Sequence, residues 1–318
     1  MLEHLPVLVS EVVTWLNPGP GKRFLDGTAG LGGHGLALLQ ATGGRLEYLG
    51  IDRDQNALDR AQARLSEFHD VHLAHADFDR FPAVLAELGW ESVHGALLDL
   101  GISSLQLDTA ERGFSFLREG PLDMRMDTGG GEAPAWNLVN RGSFSRLKYV
   151  IRTYGEEPLA GRIADTIVRE REKKHIETTL ELADIVSRAY PAARRAKSRN
   201  HPATKTFQAI RMAVNEELGS LENFLDRIVD YLAPGGRIGV ISFHSLEDRL
   251  VKRAFQREAK GCTCPKDFAV CVCGGRPRVE ILTKKPVIPQ QEEVERNPRS
   301  RSAKFRVARR VVSGEHHA

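Results

Sequence analysis

The chain has 318 residues, 41% hydrophobic and 27% charged, enough for about two domains of ordinary size. That composition excludes a disordered tail, a fibrous protein and a collagen-like repeat, and no apolar run approaches the roughly 18 residues of a membrane span. The net charge of +3 is unevenly placed: Arg188 to Arg211 and Arg296 to Val311 each hold seven Lys or Arg and no acid, which leaves −11 on the rest. Such a concentrated basic footprint on an acidic body points to a polyanionic partner, most simply nucleic acid; the plainer reading is two solvated faces. Met1 to Leu8 lack a basic stretch followed by an apolar one, so no signal peptide is expected. A cytoplasmic protein with no membrane association is the expectation.

The first hundred residues read as alternating strands and helices. Strands are expected at Lys22 to Thr28, Leu46 to Asp52, Val71 to Ala76 and Gly95 to Leu100. Helices are expected at Gly33 to Gln40, Gln55 to Glu67 and Phe81 to Leu88, the second with Leu58, Ala61 and Leu65 on one face. This alternation means right-handed βαβ units and a parallel sheet. The next strand, Arg237 to Phe243, comes about 135 residues after the fourth, behind the Ala233-Pro234-Gly235-Gly236 turn. Most of the interval is helical: Phe144 to Tyr154, Pro158 to Glu172, Thr179 to Tyr190, and Thr204 to Leu232 with one or two breaks. A crossover needs only a dozen or more residues, so the surplus is a helical insertion, roughly Thr109 to His201. It leaves the carboxyl end of a strand, where ligands bind in open α/β sheets, and there it would shape the substrate site. A helix at Leu246 to Lys260 and two strands, Val279 to Lys284 and Lys304 to Arg310, complete a seven-stranded expectation.

Asp26 to Gly35 (DGTAGLGGHG) follows a strand and opens a helix, and Gly30, Gly32 and Gly35 satisfy G-x-G-x-x-G. Asp52 ends the second strand, where an acid would hold a ribose, so a nicotinamide dinucleotide is one reading. Two features favour S-adenosylmethionine (SAM) instead. Asp26 would repel a pyrophosphate but favour the ammonium and sulfonium charges of SAM. His34 and Gly33 crowd a helix start where a pyrophosphate would want bare N–H groups. Glycines that merely make a tight turn are a third reading. In the SAM reading Gly32 and Gly33 permit close backbone approach, Asp52 accepts from the ribose diol, and Asp77 and Phe78 meet adenine. Asp99, at the tip of the fourth strand, is the candidate catalytic residue, placed where methyl donor and acceptor meet.

Further segments run Asp99-Leu100-Gly101-Ile102-Ser103-Ser104-Leu105-Gln106-Leu107-Asp108, Glu111 to Phe116 (ERGFSF), Gly120 to Met126 (GPLDMRM), His201 to Thr204 (HPAT), Thr206-Phe207-Gln208, and Ser242 to Arg249 (SFHSLEDR). With the glycine turn, and in this order, they closely resemble the bacterial small-subunit (16S) ribosomal RNA cytosine-N4 methyltransferases, the RsmH or MraW family. The resemblance spans His4 to about Ala308. It implies a Rossmann-like, SAM-dependent methyltransferase fold (α/β, a seven-stranded, mostly parallel sheet) with an inserted helical domain. The methyltransferase domain would comprise 1–108 and 202–318, and the substrate-recognition insertion 109–201. The implied reaction is methylation of a cytidine N4 in the decoding centre, with small-subunit RNA as partner; a homodimer is left open. The family's SAM contacts map onto Gly32, Gly33, His34, Asp52, Phe78, Asp99 and Gln106, to which the strand-end reasoning adds Asp26 and Asp77.

Methylation at cytosine C5 needs a Cys nucleophile, and all four cysteines lie beyond the fifth strand, which fits N4 transfer. The Asn/Asp/Ser-Pro-Pro-aromatic segment of many base amino-methyltransferases is replaced by Asp99-Leu100-Gly101-Ile102, so stacking must come from elsewhere. Phe114, Phe116 and Phe243 are candidates, each of which core packing would also explain. Ser103, Ser104, His244 and Ser245 are candidate contacts to the base or its phosphate. Cys262, Cys264, Cys271 and Cys273 could form a structural zinc cluster, although one residue between paired ligands is tight; reduced thiols are the alternative, and the motif set requires no metal. Competing readings are a SAM enzyme with another substrate, a nicotinamide oxidoreductase, and a non-catalytic assembly protein on the same fold.

Overall fold

A computed structural model describes residues 6–197, 200–261, 264 and 273–312. The strands are β1 (Lys22–Asp26), β2 (Leu46–Asp52), β3 (Val71–His75), β4 (Val93–Asp99), β5 (Leu232–Ser242), β6 (Val279–Ile281) and β7 (Lys304–Arg310). They form one sheet in the order β3-β2-β1-β4-β5-β7-β6. The first five are parallel, and β7 runs antiparallel to both β5 and β6. β5 starts earlier than the sequence suggested because Leu232 pairs with Val93 before an irregularity restores register at Gly95 and Arg237.

Both faces of the sheet are buried, which is why its strands carry consecutive apolar residues. Successive side chains point to opposite faces. Leu25, Leu98 and Val240 join one core with Phe81, Phe224 and Val251. Their neighbours Phe24, Leu97 and Ile241 join another with Val12, Leu16, Leu38 and Leu39. The helix contributing Val12 and Leu16, Val9–Leu16, was not foreseen.

The chain divides into two compact units, 1–101 with 219–318, and Ile102–Leu218. The second is wider than the expected insertion of 109–201. Ile102 and Leu107 pack against its core, and the helix Thr204–Val214 buries Phe207 and Ile210 there. Its other principal helices are Ala135–Arg141, Phe144–Thr153, Ala160–Arg171 and Thr179–Ala189. Leu147, Ile151, Ile163, Ile167, Leu182 and Val186 fill the space between them. The expected break after Thr204 falls at Asn215 and Glu216, the latter at φ 50°. Among the described residues no helix is long and apolar enough to cross a membrane.

Phe224 is fully buried and meets Phe81 and Phe78 edge-on, with ring centroids 5.0 and 5.8 Å away. Phe224→Ala is expected to cost about 3–5 kcal/mol, read as a lower urea midpoint at unchanged denaturant slope.

Candidate active site

In an open α/β sheet the ligand crevice lies at the carboxyl ends of the strands, where strand order reverses. Here that point is between β1 and β4. Asp26, Asp52 and Asp99 are the last residues of β1, β2 and β4. The glycine turn is sewn to the sheet: Gly27 N donates to Leu97 O and Ala29 N to Ile51 O, both at 2.9 Å. Asp52 accepts from Gly30 N at 2.8 Å and Asp54 N at 2.9 Å. Buried Asp26 accepts from Thr28 N at 3.1 Å and from the Tyr48 hydroxyl at 2.8 Å. Asp99 N donates to Thr28 Oγ1 at 2.6 Å. A Cβ on Gly27 would lie 2.5 Å from Leu98 Cδ2 and 3.0 Å from Phe78 Cβ, so only glycine fits. Gly32 takes φ 75° against the backbone of Ala61, a conformation natural to glycine.

Buried His34 sits in the first turn of the helix Gly33–Ala41. Its Nε2 is 3.4 Å from Asp99 Oδ2, a charge-pair distance without hydrogen-bond alignment. Neither imidazole nitrogen nor Asp99 Oδ1 has a hydrogen-bond partner among the described residues. Buried polar atoms are rarely left so. Burial works against the charged His34 ring, but Asp99, Asp26 and Glu293 outweigh it and hold its pKa above the ordinary value. Burial raises the pKa of Asp26, partly offset by His34, Tyr48 and the Thr28 N–H. Burial also pushes Asp52 up to about 6, against the hydrogen bonds from Asp54 and Gly30. Close-approach glycines, a buried acid at a strand end and orphaned polar atoms of both signs suit a ligand with a diol, an ammonium and a carboxylate. SAM has all three.

The remaining expected residues fall into place unequally. Asp77 is committed: it caps the short helix Phe78–Arg80, pairs with Arg53 and accepts from Ser220 Oγ at 2.8 Å. Phe78 is half-buried beside Gly27. In the helical unit, Ser103 caps the helix Ser104–Asp108, and buried Gln106 reaches back to the Ser103 N–H at 3.2 Å. His244 caps the helix Ser245–Lys260, its Nδ1 accepting from Glu247 N at 3.4 Å, while Glu247 accepts from Phe243 N at 2.8 Å. Its Nε2 is 2.9 Å from Glu247 Oε1, again unaligned. Ser245 is exposed at that helix start. Of the stacking candidates, Phe114 is buried, Phe116 lies 4.7 Å from the His201 ring and 4.8 Å from Phe207, and Phe243 packs on the core. Cys262 and Cys271 lie outside the described residues. Tyr48 and Thr28, which the sequence reading passed over, hold Asp26 and Asp99. A tyrosine on a buried strand needs a hydroxyl partner, and that signal was available for Tyr48.

The MraW methylase family matches residues 1–311. The chain belongs to that family. It is 59% identical over 309 residues to "Ribosomal RNA small subunit methyltransferase H" of Solidesulfovibrio magneticus. Proteins of the same name from Oleidesulfovibrio alaskensis and Maridesulfovibrio salexigens are 57% and 54% identical. Each alignment covers 97% of this chain and 95% of the relative.

In this MraW-family chain the two basic segments are partly neutralised from within. Arg188 meets Asp184 at 3.0 Å and Glu170 at 3.4 Å, and Arg211 chelates Glu217 at 2.7 and 2.8 Å. Asp248 holds Arg306 at 2.6 Å and Lys304 at 3.3 Å, and Glu280 holds Arg309 at 2.9 Å. Arg194 and Arg195 stay exposed with no ion pair among the described residues.

The raised pKa of His34 has a signed consequence. Stability from its charged ring is complete below the unfolded value of about 6.5 and declines as pH rises through the higher folded value. His34→Asn is expected to flatten that decline in urea unfolding measured across this range; an unchanged slope would remove the charge assigned to His34.

Proposed function

We propose that this chain transfers the methyl group of SAM to the exocyclic N4 of a cytidine in the decoding centre of small-subunit ribosomal RNA. The carrying observation is the family match over residues 1–311 at 54–59% identity to the relatives above. The strand-end acids of the sheet give that reading its chemistry. The work is placed in the cytoplasm, where small subunits mature, with their RNA as partner.

When bound, SAM supplies an electrophilic methyl on a sulfonium; the N–C bond forms as the S–C bond breaks. The chain supplies position. Gly32 and Gly33 let the ligand approach the backbone, with His34 beside them. Asp52 accepts from the ribose diol, and Phe78 offers an apolar edge to adenine. Asp77, already capping and paired, acts through the shape of that turn. Asp26 adds negative potential beneath the site. Gln106 and Ser103 close the capping box of the helix Ser104–Asp108, and His244 caps the helix Ser245–Lys260.

The N4 amine is a poor nucleophile, its lone pair delocalised into the ring. The site must orient it and accept its hydrogen bonds. Asp99 Oδ1, buried and unpartnered, is the acceptor suited to that task. The proton released on transfer is free to go to solvent.

The test uses isotopically labelled SAM and small subunits from cells lacking this protein, with RNA digests read by mass spectrometry. Label at cytidine N4 is expected, falling roughly 10²-fold or more in Asp99→Ala. SAM binding without labelled N4-methylcytidine would sink the reading. Because Asp52 titrates at about 6 and its ionised form accepts from the diol, SAM affinity is expected to weaken as pH falls through that value. The limit is about tenfold per pH unit; calorimetry should show Asp52→Asn without this dependence.

A further inference from the structure

The unit Ile102–Leu218 carries a cationic surface outside both basic segments, Arg188 to Arg211 and Arg296 to Val311. Residues 133–155 contain Arg141, Arg146, Lys148 and Arg152 and no acid. The helix Phe144–Thr153 buries Leu147, Val150 and Ile151. At 100° per residue that leaves Phe144, Lys148 and Arg152 along one outward ridge, with Tyr149 and Arg146 beside it. Among the described residues none of the four cations forms an ion pair. Arg152 donates only to Pro158 O, at 3.4 Å. Other cations of the unit are paired: Arg169 with Asp165, Lys173 with Glu170, Lys174 with Glu181, and Arg188 with Asp184.

The same face exposes two large aromatic rings, Phe144 at 42% and Tyr149 at 51%. Cations sit over both: Lys148 Nζ lies 5.9 Å from the Phe144 ring, and the Arg146 guanidinium 5.9 Å from Tyr149. At one end Arg141 lies 5.2 Å from the Trp136 ring. Unneutralised cations alternating with exposed rings are what a single-stranded nucleic acid needs: phosphates find charge, and unstacked bases find π faces. A duplex would satisfy the charges and leave the rings unused.

We propose that the outward face of Phe144–Thr153, with Arg141, is a docking surface for single-stranded ribosomal RNA, Arg146 and Lys148 taking phosphates and Tyr149 stacking on a base. This rests on the methylation reading for its RNA and adds where that RNA is held. A second copy of this chain is a poorer occupant, since an isologous contact would set four like charges against themselves.

The experiment measures binding of a labelled single-stranded RNA oligonucleotide to the full chain by fluorescence anisotropy across a salt series. Arg146→Ala/Lys148→Ala is expected to weaken binding roughly tenfold at about 0.15 M salt and to reduce the log–log salt slope by about 1.4. Arg169→Ala/Lys173→Ala removes the same charge from paired cations, and its affinity is expected to stay near wild type. Tyr149→Ala is expected to lose about fivefold or more on the single strand, with Tyr149→Phe restoring it and duplex RNA insensitive to both. SAM affinity, measured on each variant, reports that the fold is intact.

Equal loss in both double variants would mean net charge alone, and would overturn the surface. So would an unchanged salt slope, or a wild-type dimer that the Arg146/Lys148 variant dissociates without altering RNA affinity. Subunits left unmethylated while the oligonucleotide still separates the variants would overturn the methylation reading and keep the surface. Methylation with indifferent variants would do the opposite.

Discussion

A buried carboxylate, Asp26, and a half-buried one, Asp52, organise the crevice end of the sheet. An ionised carboxylate taken out of water costs several kcal/mol unless hydrogen bonds replace its hydration. Asp52 and Asp26 recover this from the glycine turn itself, through the N–H groups of Gly30 and Thr28. The dependence runs both ways. Gly27 and Ala29 donate to the sheet carbonyls of Leu97 and Ile51, and the N–H groups between and after them, on Thr28 and Gly30, take the acids as acceptors. Thr28 then carries the constraint across to Asp99 N, so the ends of β1, β2 and β4 form one piece. On that piece His34 and Asp99 are held close with polar atoms unspent.

The helical unit solves a different problem. Its helices bury one stripe each and leave charged faces outside. On Ala160–Arg171 and Thr179–Ala189, Arg169 pairs with Asp165 and Arg188 with Asp184 and Glu170, which holds surface side chains in place for little net energy. On Phe144–Thr153 no cation forms an ion pair among the described residues. A cationic face left unneutralised adds nothing to the unit's stability, which makes it a feature of what the unit meets rather than of how it folds.

Most of the sheet was legible in advance. Strands buried on both faces read as short apolar runs, and those before Asp26, Asp52 and Asp99 end on an acid with a Gly-rich or polar turn after it. The helix boundaries were less so. Capping boxes at Ser103 with Gln106 and Thr178 with Glu181 carry the S/T-x-x-E/Q signature, yet a serine ahead of a helix is also a candidate substrate contact, and polarity alone does not separate the two. His244 capping Ser245–Lys260 had no such signature, because histidine is not among the usual N-cap residues. The ends of the helical unit, Ile102 and the helix after Thr204, are hard to place from the sequence because they adjoin the sheet's own motifs.

The sequence by itself determined the class of the protein and the addresses of its chemistry. Strand periodicity, the glycine turn and the order of its short motifs are local along the chain and survive without coordinates. Only the tertiary structure decided which charges are spent. Lys304 and Arg306 meet Asp248 from 56 and 58 residues away, and Asp77 meets Ser220 from 143. An ion pair or hydrogen bond depends on distance in space, and a count of residues along the chain cannot see it. That is why a strongly basic C-terminal strand proved largely paired, while a modest run ending at Arg152 proved open.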